Sequence, residues 1–68
     1  MKFKILTAIF ITGKNTQAPK WFKYRNINGS QAGKIRFIEF AKTKQADEVN
    51  FYDKKTGVFL EKITLVDR

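Results

Sequence analysis

Apolar and polar residues alternate from Phe3 onward, with Phe3, Ile5, Ile9 and Ile11 on one side of an extended chain. Leu6, Ala8 and Phe10 fall on the other side, beside Lys2 and Lys4. The pattern predicts a first strand ending at Thr12, half-buried at its start and covered on both faces further on, as in a strand that curls through a small barrel. Gly13 to Lys20 is polar and rich in turn residues, and reads as a loop. Trp21 to Ile27 predicts a second strand, with Phe22 and Tyr24 on one side and Trp21, Lys23, Arg25 and Ile27 on the other. The pattern does not choose which side is buried. Asn28 to Gly33, with its Asn-Gly dipeptide, predicts a hairpin turn into a third strand over Lys34 to Lys42. There Ile35, Phe37 and Glu39 alternate with Lys34, Arg36, Ile38 and Phe40. Ala41 to Glu48 is polar and suits a short helix or a long turn. The chain closes with a hairpin: Val49 to Asp53, a Lys54-Lys55-Thr56-Gly57 connection with glycine in the left-handed position, and Val58 to Val66.

Five strands in this order, with a short helix or turn between the third and fourth, predict a mainly β domain. The expected form is a five-stranded OB-like barrel over residues 1–68, with an SH3-like barrel as the alternative. A domain of this size buries only about 60% of its unfolded surface. The chain has neither cysteine nor histidine, so disulfides and the usual zinc ligands are excluded as supplements to the core. Homodimerisation remains as the expected supplement. Lys2 and Lys4 followed by Ile5 to Thr12 imitate a signal peptide, but the apolar run is short, lacks an Ala-x-Ala site and cannot span a bilayer. A cysteine-free chain suits a reducing compartment, and a cytoplasmic location away from membranes is the expectation.

Charge sharpens the picture. There are 14 Lys plus Arg against 6 Asp plus Glu, a net of +8, and no acid precedes Glu39. The excess belongs to the first half and directs the search to polyanions. Within it, Pro19 to Ile27 combines Trp21, Phe22 and Tyr24 with Lys20, Lys23 and Arg25. Flat rings and cations side by side suit stacking on bases together with contacts to phosphates. Across the predicted hairpin, Lys34 and Arg36 would lie near Lys23 and Arg25, an arrangement costly unless an anion lies between them. Lys14 in the first loop and Lys54 and Lys55 in the last complete the candidate nucleic-acid-binding set.

Catalysis finds little support. Gly13-Lys14-Asn15-Thr16 lacks the first glycine and the spacing of a phosphate-binding loop. Asp47 and Glu48 are adjacent and diverge, Ser30 has no base nearby in sequence, and neither a metal site nor a cofactor is implied. The expectation is a non-catalytic protein.

The chain resembles, in size, strand order and the run Lys20-Trp21-Phe22-Lys23-Tyr24-Arg25, the phage-type single-stranded DNA-binding proteins. The resemblance implies an OB-like barrel that coats DNA as a dimer through exposed rings. Cold-shock proteins match less well, because Val58-Phe59-Leu60 lacks the companion ring and histidine of their paired aromatic motifs. The expected function is sequence-tolerant binding of single-stranded DNA or RNA. The alternative is a small basic module or inhibitor that docks on an acidic protein, with Trp21, Tyr24 and Arg25 as anchors.

Overall fold

The computed structural model describes residues 4–65. Strand β1 (Ile5–Thr12) and strand β2 (Lys20–Asn28) are followed by helix α1 (Gln31–Thr43), strand β3 (Ala46–Asp53) and strand β4 (Phe59–Thr64). The strands form one antiparallel sheet in the order β2-β1-β3-β4. It is an open sheet of four strands, so the expected five-stranded OB-like or SH3-like barrel is corrected. The predicted extension of the last strand to Val66 and the start of the first before Lys4 lie outside the described residues.

The correction comes from one segment. Lys34 to Lys42, expected as the third strand, is helical, and the Asn28-Gly29 dipeptide leads into that helix and forms no hairpin turn. Ser30 is the N-cap: its backbone is extended, its Oγ accepts from the Gly33 N–H at 3.1 Å, and its carbonyl accepts from the Lys34 N–H at 3.0 Å. Phe37, Ile38 and Ala41 then recur at helical spacing, and all three turn toward the sheet. The two glycines serve close approach. The Gly29 N–H donates to the Lys4 carbonyl at 2.8 Å, and a Cβ at Gly29 would stand 2.5 Å from that oxygen. A Cβ at Gly33 would collide with the Asn28 carbonyl. Ala41 to Glu48, expected as a separate short helix or turn, is split between the end of α1 and the start of β3. Gln45 in the left-handed region (φ 62°) makes the corner.

The final hairpin forms where the alternation placed it. Asp53 Oδ1 accepts from the Lys55 and Thr56 amides at 2.9 and 3.3 Å, and Gly57 (φ 79°) donates to the Asp53 carbonyl at 2.7 Å.

Topology dictates which face of the sheet is covered. β2 and β3 flank β1 and both run antiparallel to it, so they are parallel to each other and the chain between them must cross β1. α1 is that crossover, and it packs against β2 and β3. Beneath it lie the rows Phe22-Phe10-Val49-Ile63 and Tyr24-Ala8-Phe51. Phe10, Phe51 and Val49 are the largest fully buried side chains. Phe10 stacks on Phe22 and Tyr24 at 5.2 and 5.7 Å, and Tyr24 meets the edges of Phe37 and Phe40 at 5.5 and 5.3 Å. Among the described residues, no helix is long and apolar enough to cross a membrane.

Candidate functional site

No described element covers the opposite face. Its rows read Trp21-Ile11-Glu48-Thr64 and Lys23-Ile9-Asn50-Lys62, with Thr7 and Tyr52 next along. A helix-covered face of a sheet carries apolar rows, whereas this one interleaves rings, cations and amides over the isoleucines of β1. Trp21 is 61% exposed, while its row neighbour Ile11 is only 5% exposed. At the far corner Phe59 (52% exposed) meets Tyr52 edge-on, with ring centroids 5.6 Å apart.

A groove of about 360 Å³ runs across this face. Thr7 and Ile9 form its floor, Lys23 and Arg25 one wall, and Tyr52, Asp53, Lys54 and Gly57 the other. Lys23 and Arg25 stand two residues apart on one strand, which spaces their Cα atoms by about 7 Å. One wall depends on an irregularity. The register between β1 and β2 slips between Leu6 and Ala8, so that Arg25 and Asn26 together oppose Thr7, and Asn26 takes a left-handed backbone (φ 64°). This bulge returns Ile27 to the helix-covered face opposite Leu6, where it packs on the core. Ile27 therefore does not share a face with Trp21, Lys23 and Arg25 as simple alternation predicts. The bulge also presents Asn26 Oδ1 to Lys54 Nζ, and this hydrogen bond bridges β2 and the β3–β4 turn at one end of the groove.

The cations divide into two groups. Lys14 donates from Nζ to Glu48 Oε1 at 2.6 Å and from its backbone to Asp47 Oδ2 at 2.7 Å, and Lys62 Nζ stands 3.8 Å from the same Glu48 oxygen. Lys34 pairs with Glu61 at 2.9 Å and Lys4 with Asp53 at 3.5 Å. The Lys55 amide, helped by the Thr56 amide and the Lys4 ammonium, holds the Asp53 carboxyl below the usual aspartate range against the opposing effect of burial. By contrast, among the described residues Lys20, Lys23, Arg25, Arg36, Lys54 and Lys55 have no carboxylate partner.

The residues singled out from sequence are thus dispersed. Trp21, Lys23, Arg25 and Lys54 meet on the uncovered face, and Lys55 lies in the turn at its end. Lys20, Phe22 and Tyr24 point to the helix-covered side. Lys34 and Arg36 belong to α1 and do not face Lys23 and Arg25 across a hairpin, so the expected crowding of four cations is corrected. Lys14 and Lys34 are engaged in ion pairs. Thr7, Ile9 and Tyr52 join the groove without having been singled out, and Asn26 meets Lys54 at its end. Only the pairing register of β1 between β2 and β3 brings them there, although the Asn50/Tyr52 alternation against Val49/Phe51 was a usable signal for Tyr52.

Among the described residues, no group of three or more His, Cys, Asp or Glu side chains is placed to hold a metal ion. No family model, curated protein or solved structure matches this chain.

Proposed function

We propose that this protein binds single-stranded nucleic acid through the uncovered face of its sheet, with little preference for sequence. One observation carries the reading: Lys23 and Arg25, without carboxylate partners among the described residues, line a groove beside the exposed ring of Trp21, with Tyr52 on the opposite wall. Cations spaced along a strand suit successive phosphates, and rings on an open sheet suit unstacked bases. The faces of bases in a duplex are already stacked on their neighbours and closed to aromatic side chains, so single strands are favoured.

Trp21 is the only tryptophan, so its fluorescence reports on this face directly. Titration with oligo-dT should quench it, and affinity should fall log-linearly with salt. Lys23→Ala/Arg25→Ala should lower the magnitude of the salt slope by about 1.4, at ~0.7 per phosphate contact on a single strand. Lys23→Glu/Arg25→Glu should abolish binding while leaving the fold intact. A salt slope unchanged in the alanine pair, or equal affinity for a hairpin duplex and oligo-dT, defeats the proposal. Quenching by an acidic protein with no response to oligonucleotide would transfer the face to the protein-docking alternative.

A further inference from the structure

β2 is an edge strand, so its alternate side chains reach both faces of the sheet within one short segment. The uncovered face takes Trp21, Lys23 and Arg25. On the other face, α1 ends at Thr43 and leaves the Lys20 end of β2 uncapped. A second cleft of about 410 Å³ opens there. Phe10, Phe22 and Tyr24 form its apolar wall, and Lys20 and Lys44 stand at its mouth. Phe22 is stacked on Phe10 beneath it (5.2 Å, 24°) yet remains 39% exposed, so one ring face is supported and the ring is still accessible. Lys44 Nζ lies 5.7 Å from the centre of the Phe40 ring. Neither Lys20 nor Lys44 has a carboxylate partner among the described residues.

A supported ring with two unneutralised ammonium groups beside it has the chemistry of a nucleotide site: stacking for the base, charge for its phosphate. Lys20 and Phe22 are the sequence neighbours of Trp21, which faces the other way. The two sites are therefore separated only by the open edge of β2. Resting on the reading of the uncovered face, we infer that a bound single strand continues from the groove over Trp21 and around the β2 edge. It seats a further nucleotide in this cleft, its base on Phe22 and its phosphate at Lys20 and Lys44. A flexible strand can make that turn within a few nucleotides, whereas a duplex, with a persistence length of about 50 nm, cannot. The inference thus adds a second, geometric cause to the selectivity toward single strands that ring stacking on the uncovered face supplies.

The test compares oligo-dT of about four nucleotides, enough for one face, with oligo-dT of about sixteen. Lys20→Ala/Lys44→Ala removes two exposed cations without carboxylate partners among the described residues and should lower the melting temperature only by the Lys44–Phe40 contact, a few degrees, and leave the protein folded. Its affinity for the short oligonucleotide should match wild type, and its salt slope for the long one should be smaller by about 1.4. Phe22→Leu, which keeps apolar contact with Phe10, should bind the long oligonucleotide several-fold more weakly at unchanged slope. A long-oligonucleotide slope equal to wild type overturns the inference. So does an equal loss for both lengths, which would mark a general field effect. Lys23→Ala/Arg25→Ala serves as the parallel arm. If it still weakens binding of the short oligonucleotide, the uncovered face stands and only the path around the edge is lost. If it has no effect, both readings fall.

Discussion

Trp21→Ala separates a ring that binds from a ring that holds the fold. The side chain is 61% exposed, so about two-fifths of its surface is covered. Burying an aromatic side chain removes 150–250 Å² from water, and two-fifths of that is about 60–100 Å². At about 25 cal/mol per Å² this amounts to ~1.5–2.5 kcal/mol, an upper bound because the unfolded chain already shields part of the ring. Phe10, 1% exposed and ringed by Phe22, Tyr24, Phe37 and Phe40, is the opposite case. Truncating such a residue to Ala costs about 3–5 kcal/mol. At ~0.05–0.15 kcal/mol per residue, a chain of 68 residues has roughly 3–10 kcal/mol of stability in all. Phe10→Ala should therefore melt about 12–40 °C below wild type, while Trp21→Ala should melt at most about 6–20 °C below it, at 4–8 °C per kcal/mol, and remain folded. The assay is thermal melting by circular dichroism beside anisotropy of a labelled oligo-dT, since the variant has lost its own fluorophore. Trp21→Ala should lose about 1–3 kcal/mol of binding with its salt slope unchanged, because no phosphate contact has gone. An unfolded Trp21→Ala would show the ring to be core. A folded Trp21→Ala that binds like wild type would remove stacking from the mechanism and leave charge alone.

Two further outcomes test the architecture. The Asp53 carboxyl titrates below its ordinary range in the folded state, so it stabilises the protein above that range, and the contribution is lost as pH falls from there through the lower, folded value. Asp53→Asn keeps the acceptor oxygen and removes the charge. Its melting temperature should change less than that of wild type across this acid window, and parallel pH profiles for the two proteins would refute the assignment. Ser30→Ala removes the N-cap of α1 and should cost about 1 kcal/mol, or roughly 4–8 °C, with Ser30→Asp recovering most of it. No change in melting on Ser30→Ala would mean that the cap does not hold the helix.

The four strands were readable from sequence, apart from the bulge in β2, and the segment that satisfies two periods was not. Ile35, Phe37, Ile38, Phe40 and Ala41 fit a strand when taken in twos and a helix when taken as Phe37, Ile38 and Ala41. Alternation alone favours the strand there because the helix start is disguised. Ser30 is a sound cap, but Gly33 occupies the third helical position where a capping box would show Glu or Gln, and no acid stands in the first turn. Asn28-Gly29 and Gly33 imitate a turn because their glycines answer a tertiary demand, the close approach of the Lys4 and Asn28 carbonyls. The site was half legible. The mixture of rings and cations in Lys20 to Arg25 is a local property and survives any fold. Which ring faces outward depends on α1 covering one side of β2, and the fate of Ile27 depends on the single left-handed residue Asn26.

The charge asymmetry along the chain also acquires a spatial meaning. Acids on β3 and β4 neutralise cations of the first half that lie outside the strands: Asp53 takes Lys4, Glu48 takes Lys14 and Glu61 takes Lys34. β2 is left out because β1 separates it from β3, about 10 Å away, and β4 is one strand further still. Among the described residues, three of the cations without carboxylate partners, Lys20, Lys23 and Arg25, thus fall on one edge strand, and Lys23 and Arg25, about 7 Å apart, lie within a Debye length of each other at physiological salt. Cations on an edge also deter pairing with another chain, and this protective role alone would account for their number. It does not account for Trp21. Protection needs charge of either sign and gains nothing from a large exposed ring, whereas polyanion binding needs positive charge and gains affinity from the ring. The reversed pair Lys23→Glu/Arg25→Glu keeps the edge charged and removes the attraction, so the two roles part at that variant.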